Sequence, residues 1–216
     1  MNKRFNFDIT KQGKYDYVIG TDEAGRGPGA GPVFAAAVCF LNPDKDLIYE
    51  LSLLNDSKKL NEKVRESLFE VIINNSVFAI NQGSVEEIEK YNILKTSLLI
   101  MKKSCEEVIN NLSSSNIKVL IDGNKKIPDF KFCQECIVKG DSQSAAIAAA
   151  SILAKVSRDR FMKEIDKEFP QYHWSDNKGY ITAAHLEAVD KYGLTKWHRK
   201  KFFEKHFSEI KQLSLL

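Results

Sequence analysis

Residues 15–41, YDYVIGTDEAGRGPGAGPVFAAAVCFL, decide the fold. YDYVIGTD is rich in aromatic and β-branched residues and reads as a strand, and VFAAAVCFL at 33–41 reads as another. The link between them is short, so the two strands are expected to be antiparallel neighbours. Within the link, GRGPGA fits the loose G-x-G-x-x-G/A dinucleotide pattern. Two features oppose that reading. Asp22 and Glu23 stand directly before the glycines, where they would repel a pyrophosphate, and the next element reads as a strand rather than a helix. The stretch also lacks the lysine of a Walker loop. Glycines flanking Arg26 instead expose backbone N–H and C=O groups beside two carboxylates, where they can meet a sugar hydroxyl while the guanidinium meets a phosphate.

Downstream, helical and strand patterns alternate. SKKLNEKVRESLFEVIINN, from Ser57, carries Leu60, Val64, Leu68 and Ile72 on one stripe and predicts a helix, and SVFAINQG after it predicts a strand. Residues 85–112 predict two helical segments broken near Asn92. VLIDG (119–123) reads as a buried strand ending in an Asp-Gly turn, and FCQECIVKGD as a strand ending at Asp141. A long helix is expected from Ser142 to about Phe169. Its first half, SQSAAIAAASILA, is small and apolar all round, which suits close approach to a sheet. Beyond Pro170 come a polar loop around SDNKGY, a short helix near AAHLEAVDKY and the basic aromatic segment KYGLTKWHRKKFFEK. The pattern predicts one α/β domain over 1–216, with a core over about 1–169 and a helical C-terminal appendage over about 170–216.

The composition narrows the class. With 216 residues, 43% hydrophobic and 28% charged, the chain fits a globular domain and not a disordered or collagenous one. Its longest apolar runs, 33–41 and 145–154, fall short of the roughly 20 residues needed to span a bilayer, and MNKRFNFDITKQGKYDY has no apolar stretch of a secretory signal. A cytoplasmic location without membrane contact is the expectation. Four cysteines do not make a disulfide framework. Cys133 and Cys136 form a single CxxC with no second pair or nearby histidine to complete a zinc site. His173, His185, His198 and His206 have no partner nucleophile at a telling spacing, so packing or surface roles are expected. Residues 1–150 carry 19 basic and 20 acidic side chains, residues 151–216 carry 13 and 9, so the basic surplus lies at the C-terminal end. Lys191–Lys205 holds six basic residues and one acid among Tyr192, Trp197, Phe202 and Phe203, which suits aromatics turned inward and basic heads turned toward a duplex backbone.

Asp22 and Glu23 end one strand, Asp122 a second and Asp141 a third, so four carboxylates could meet at one edge of a sheet. Taken singly, each has a bland role: a solvated pair, a turn residue, a helix cap. Taken jointly they would repel one another unless divalent cations neutralise them. Mg²⁺ suits a few carboxylates together with waters and phosphate oxygens. Two such ions can activate a water on one side of a phosphodiester and stabilise the leaving oxygen on the other, with no histidine nucleophile.

GTDEAGRGPGAGPVFAAAV, NDSKKL at 55–60, IDG at 121–123, KGDSQSAAIAAASILAKVSRDR at 139–160, NKGY at 177–180 and HRKKF at 198–202 together resemble the ribonuclease HII family, in the family's order and over nearly the whole chain. The resemblance implies an RNase H-like fold, a five-stranded mixed sheet flanked by helices with a helical C-terminal portion. It implies that Asp22, Glu23, Asp122 and Asp141 bind two Mg²⁺ or Mn²⁺ ions. Gly25, Arg26 and Gly27 would then sense a ribose 2′-hydroxyl, Tyr180 would pack on the next sugar, and Lys58 or Lys59 and Lys178 would contact phosphates. The related ribonuclease HIII family usually carries a GKG-type motif and an extra N-terminal domain, and neither is seen here. Gly29 and Ile181 depart from the family pattern, which usually has a bulkier apolar residue at the first position and glycine at the second.

The expected activity is endonucleolytic hydrolysis 5′ to a ribonucleotide, in an RNA/DNA hybrid or at a single ribonucleotide in duplex DNA, leaving 5′-phosphate and 3′-hydroxyl ends. The expected partner is nucleic acid, and the expected state is a monomer. One alternative is another RNase H-like nuclease acting on DNA alone, which would not need the ribose-sensing glycines. The other is a hybrid-binding module without catalysis.

Overall fold

The computed structural model describes residues 2–54 and 60–213. Its strands are β1 (Tyr17–Ala24), β2 (Val33–Cys39), β3 (Val77–Gly83), β4 (Ile117–Asp122) and β5 (Cys133–Ile137). They form one sheet in the order β3-β2-β1-β4-β5. β1 pairs antiparallel with β2, as the short glycine link demands, and β2 with β3; β1–β4 and β4–β5 are parallel. The sheet is therefore mixed. Its helices are α1 (Lys3–Gln12), α2 (Lys45–Glu50), α3 (Glu62–Asn74), α4 (Val85–Tyr91), α5 (Ile93–Asn110), α6 (Ala145–Glu168), α7 (Trp174–Asn177), α8 (Ala183–Tyr192) and α9 (Glu204–Leu213).

Side-chain alternation along the central strands splits the core into two layers. Ile19, Val33, Ala35, Ala37, Ile117, Val119 and Ile121 face α5, where Met101, Cys105 and Val108 meet them. Phe34, Ala36 and Val38 face the opposite way, against Ala145, Ala148, Ala149 and Ile152 of α6. The small residues of α6 let it lie almost on the backbone of β1. A Cβ on Gly20 would overlap the Ala146 and Ile147 backbone. The second half of α6 carries Met162 and Ile165 into a separate cluster with Tyr172, Trp174, Val189 and Phe203, which docks the C-terminal helices.

Several boundaries differ from expectation. α3 begins at Glu62, capped by Asn61, whose side chain accepts from the Val64 amide; residues 57–59 lie outside the described residues. Asn92 breaks α4 from α5 as expected, at φ 70°, and its side chain caps α5. The strand expected to reach Asp141 stops at Ile137. Lys139 is left-handed at φ 55°, and Gly140–Ser142 form a short 3₁₀ turn. Asp141 therefore sits in a turn and does not end the strand. Nor does it cap α6, a role taken by Ser144, whose side chain accepts from the Ile147 amide at 3.1 Å. α1 was not legible as a helix: its residues NFDITKQ mix polar and β-branched types of middling propensity. Tertiary packing holds it, through buried Phe5 and through Asp8, whose carboxylate accepts from the Ala146 amide at the start of α6.

Candidate active site

Asp22 and Asp122 stand side by side because β1 and β4 are parallel and registered Thr21 to Ile121, one residue earlier on each. Both lie on the α6 side of the sheet, while alternation places Glu23 on the α5 side. Glu23 accordingly also lines a small pocket with Leu94, Ser97 and Met101 of α5. The strand end lets all three reach a common opening. One cleft of roughly 910 Å³ is lined by Asp22, Glu23, Asp122 and Asp141 together with Gly25, Arg26, Gly27 and Tyr180. Arg65, Ser151, Lys155, Arg158 and Phe202 also line it, with Ala24 and Ile93.

Backbone and hydroxyl donors fix the carboxylates. Asp22 Oδ1 accepts from the Glu23 amide at 2.7 Å, and Ser151 also hydrogen-bonds its carboxylate. Asp122 Oδ1 accepts from the Gly140 amide at 2.7 Å, which ties β4 to the turn holding Asp141. Burial, reinforced by the charges of Glu23 and Asp122, pushes the Asp22 carboxyl well above the usual range. Burial also raises Glu23, and Asp122 adds to this, while Arg26 opposes it. Arg26 Nη1 lies 3.1 Å from Glu23 Oε1, with half of its side chain exposed. An inward-facing acid cluster at odds with itself calls for cations, and its donors are all hard oxygens, the set that Mg²⁺ and Mn²⁺ prefer. Among the described residues no three His, Cys, Asp or Glu side chains are grouped so that they could hold a metal ion by themselves. Mg²⁺ sites on phosphoryl substrates need no such group, because one or two carboxylates, waters and substrate oxygens share the coordination.

Tyr180 is half exposed at the cleft. A Cβ on Gly27 would sit 3.3 Å from its ring, so the ring lies against the glycine loop. Its carbonyl is held from below: His185 Nδ1 is 2.9 Å from Tyr180 O, and His185 Nε2 is 3.1 Å from His198 Nε2. Trp174 Nε1 donates to His185 Nε2, and the Thr195 amide donates to His198 Nδ1. These partners place the protons on His185 Nδ1 and His198 Nε2, with both rings neutral. Burial lowers both pKa values, that of His198 to about 3. The packing role expected for these two histidines is what the structure shows.

Of the expected phosphate contacts, Lys58 and Lys59 lie outside the described residues. Lys178 turns its ammonium to the Ser175 carbonyl and is not among the residues lining the cleft. In the basic segment, Phe203 is buried and Tyr192 is half exposed. Lys196 pairs with Glu168 and Lys201 donates to the Glu89 carbonyl, so its basic heads are partly engaged within the protein. Sequence reasoning missed Arg65, Ser151, Lys155 and Arg158 as wall residues. The helix turns from small apolar residues to charged ones at Lys155, so Arg158 reads like its solvated neighbours although it is only 1% exposed. Cys39 and Cys105 are buried, and all four thiols are free. No helix of the described residues is long and apolar enough to cross a membrane.

Comparison with known proteins identifies the family and the fold. The family model described as Ribonuclease HII matches residues 19–209. The ribonuclease HII of Fusobacterium nucleatum is 47% identical over 193 residues, covering 89% of this chain and 88% of that one. The RNase HII in a PCNA complex from Archaeoglobus fulgidus superposes with a TM-score of 0.65 at 27% identity, covering 85% and 93% of the two chains. Bst-RNase HIII in complex with Mn²⁺ shares the fold at 19% identity, with a TM-score of 0.63 over 82% of this chain and 63% of that one. With its motifs in order, its mixed sheet and its family match over most of its length, the chain belongs to the ribonuclease HII family.

Proposed function

We propose that the chain is a metal-dependent endoribonuclease that cuts the phosphodiester 5′ to a ribonucleotide, in RNA/DNA hybrids and at single ribonucleotides embedded in duplex DNA. One observation carries the proposal: the four carboxylates share a single cleft with Gly25, Arg26, Gly27 and Tyr180. Asp22, Glu23, Asp122 and Asp141 would hold two Mg²⁺ or Mn²⁺ ions. Support for the metal comes from the all-oxygen, self-repelling donor set and from the Mn²⁺ complex of a protein with the same fold. Bound ions supply Lewis acidity and lower the pKa of a water at neutral pH.

The remaining work falls to the chain itself. The Glu23 and Gly140 amides orient the Asp22 and Asp122 carboxylates before substrate arrives, so little reorganisation is needed during the reaction. Backbone groups of Gly25 and Gly27 lie open to the cleft without a Cβ. They test a sugar for its 2′-hydroxyl, the group that separates RNA from DNA. Tyr180 offers a flat face to the neighbouring sugar. Arg26 is bound to Glu23 only through an exposed end, and it exchanges that partner for a substrate phosphate once cations neutralise the acid.

The test is cleavage of a DNA duplex bearing one ribonucleotide, beside an all-DNA duplex and an RNA/DNA hybrid, with mapping of cut sites and ends. The expected result is a cut on the 5′ side of the ribonucleotide, with 3′-hydroxyl and 5′-phosphate ends, and no cutting of DNA alone. Equal cutting of all three substrates, or a cut on the 3′ side, refutes the reading.

A further inference from the structure

Two buried arginines converge on the glycine loop from opposite sides. Arg158, on α6, donates from Nε to Pro32 O at 3.2 Å, from Nη2 to Ala30 O at 3.0 Å and from Nη1 to Lys178 O at 3.0 Å. Arg199, from the C-terminal segment, donates from Nε to Gly31 O at 2.9 Å and from Nη1 to Pro28 O at 2.8 Å and Arg26 O at 3.3 Å. Its own backbone amide takes Gly29 O at 2.8 Å. Of the carbonyls from Arg26 to Pro32, these two residues engage all but that of Gly27. The loop's amides are tied as well: Gly29 and Ala30 donate to Gly179 O, and Gly31 to Trp197 O. Neither arginine has a salt bridge to a carboxylate among the described residues, and both are almost wholly buried, at 1% and 0% exposed.

Burying two guanidiniums with no carboxylate in direct contact, only the more distant charges of Asp159 and Glu89, is costly. Burial moves their pKa values down, to about 10 for Arg158 and about 9 for Arg199. Two exposed hydrophilic positions would have avoided that cost, so the loop's geometry must gain from it. Apart from the single bridge of Ala30 with His198, the carbonyls of this glycine-rich turn have no strand partner, and a planar guanidinium is the side chain that can bind several at fixed angles. Gly25, at φ 102°, passes so close to Arg158 that a Cβ would collide with its Nε.

We infer that Arg158 and Arg199 are positioning residues for ribose selection, holding the backbone from Gly25 to Pro32 as a rigid wall against which the 2′-hydroxyl is tested. This rests on the function proposed above. The two residues act through the loop and not by contact with the reacting phosphate. A lysine at either position keeps the charge but presents its donors from one point, and it cannot span three carbonyls.

Two measurements decide it. In the wild-type protein, amide hydrogen exchange at Gly29, Ala30 and Gly31 is expected to be as slow as in β1 and β4. In Arg158→Lys and Arg199→Lys, those three amides exchange at least about tenfold faster while the sheet amides are unchanged. The second measurement compares kcat/KM at one embedded ribonucleotide with that at a 2′-fluoro nucleotide in the same duplex. The ribose preference falls by about tenfold in each variant, chiefly through kcat on the ribonucleotide, whereas a purely structural role lowers both substrates alike. An unchanged preference in both folded variants overturns the inference. So does open-loop exchange of the three amides in the wild type, which needs no variant to fold. A wild-type enzyme with no ribose preference would sink the proposed function instead, and the exchange measurement would still judge the clamp.

Discussion

Ile181 fills the space that Gly29 leaves open: a Cβ added to Gly29 would lie 2.6 Å from Ile181 Cγ1 and 3.0 Å from a Phe203 ring carbon. The two positions are therefore in contact, and the volume of one limits the volume of the other. A bulky residue at 29 beside glycine at 181 would occupy the same room from the other side.

Substituting one position alone should expose that coupling. Gly29→Leu is expected to destabilise the protein by about 1–3 kcal/mol through overpacking against Ile181 and Phe203. In the double variant Gly29→Leu, Ile181→Gly, at least about half of that loss is recovered, a coupling within the range for residues in contact. Urea denaturation of the four proteins closes the cycle, and strict additivity would show that the two sites are independent.

Gly20 sets how near α6 can approach the sheet. A methyl group there meets helix backbone, which cannot rotate away, so Gly20→Ala must push α6 off β1. Asp22, two residues on, would then lose its register with Ser151 of that helix. The expected outcome is a loss of roughly 3 kcal/mol or more in stability, together with a loss of cleavage in the fraction that remains folded. Thermal denaturation within a few degrees of wild type would contradict it.

Two buried groups give stability opposite dependences on pH. Asp8 has a folded pKa of about 6, raised from 3.8 by burial despite hydrogen bonds from Ser144 and the start of α6. The native state therefore holds the proton more tightly, and this group's contribution is lost as pH rises from about 4 to about 6. His198, lowered to about 3 from 6.5, acts in reverse, and its contribution is lost as pH falls from about 6.5 toward 3. Asp8→Asn keeps an acceptor for the Ala146 amide and removes only the first dependence. Its stability relative to wild type should rise by on the order of 2–3 kcal/mol between pH 4 and pH 7. Urea titrations across that range check the difference, and parallel curves for the two proteins would contradict it.

Much of this was readable from the chain because local and tertiary preferences agree along the central strands and α6. Strands β1 to β4 and the break at Asn92 stand close to where alternation and turn chemistry put them. The placements that failed depend on contacts distant in sequence. α1 exists because Phe5 and Asp8 find α6, more than a hundred residues away. Asp141 leaves its strand because Lys139 turns left-handed, and no alternation pattern signals that turn. At the site, the acids and glycines were legible as a motif in a familiar order. Arg158 and Arg199 stand within those motifs, but their role was not legible, since an arginine in a helix or a basic tail reads as solvated until the carbonyls it binds come from another part of the chain.

The central claim is that the four carboxylates act by holding divalent cations on a substrate selected for its ribose. The most direct measurement is the rate of cutting at a single ribonucleotide by Asp22→Asn and Asp122→Asn in Mg²⁺ and in Mn²⁺, with duplex affinity and thermal stability measured in parallel. The predicted result is a loss of at least ~10³-fold in rate, about 4 kcal/mol of transition-state stabilisation, with affinity nearly unchanged. Asp22→Asn should also melt no lower than wild type, because it relieves a buried charge that Glu23 and Asp122 repel. Near-wild-type cutting by either variant, or by the wild-type enzyme in excess EDTA, would contradict the account.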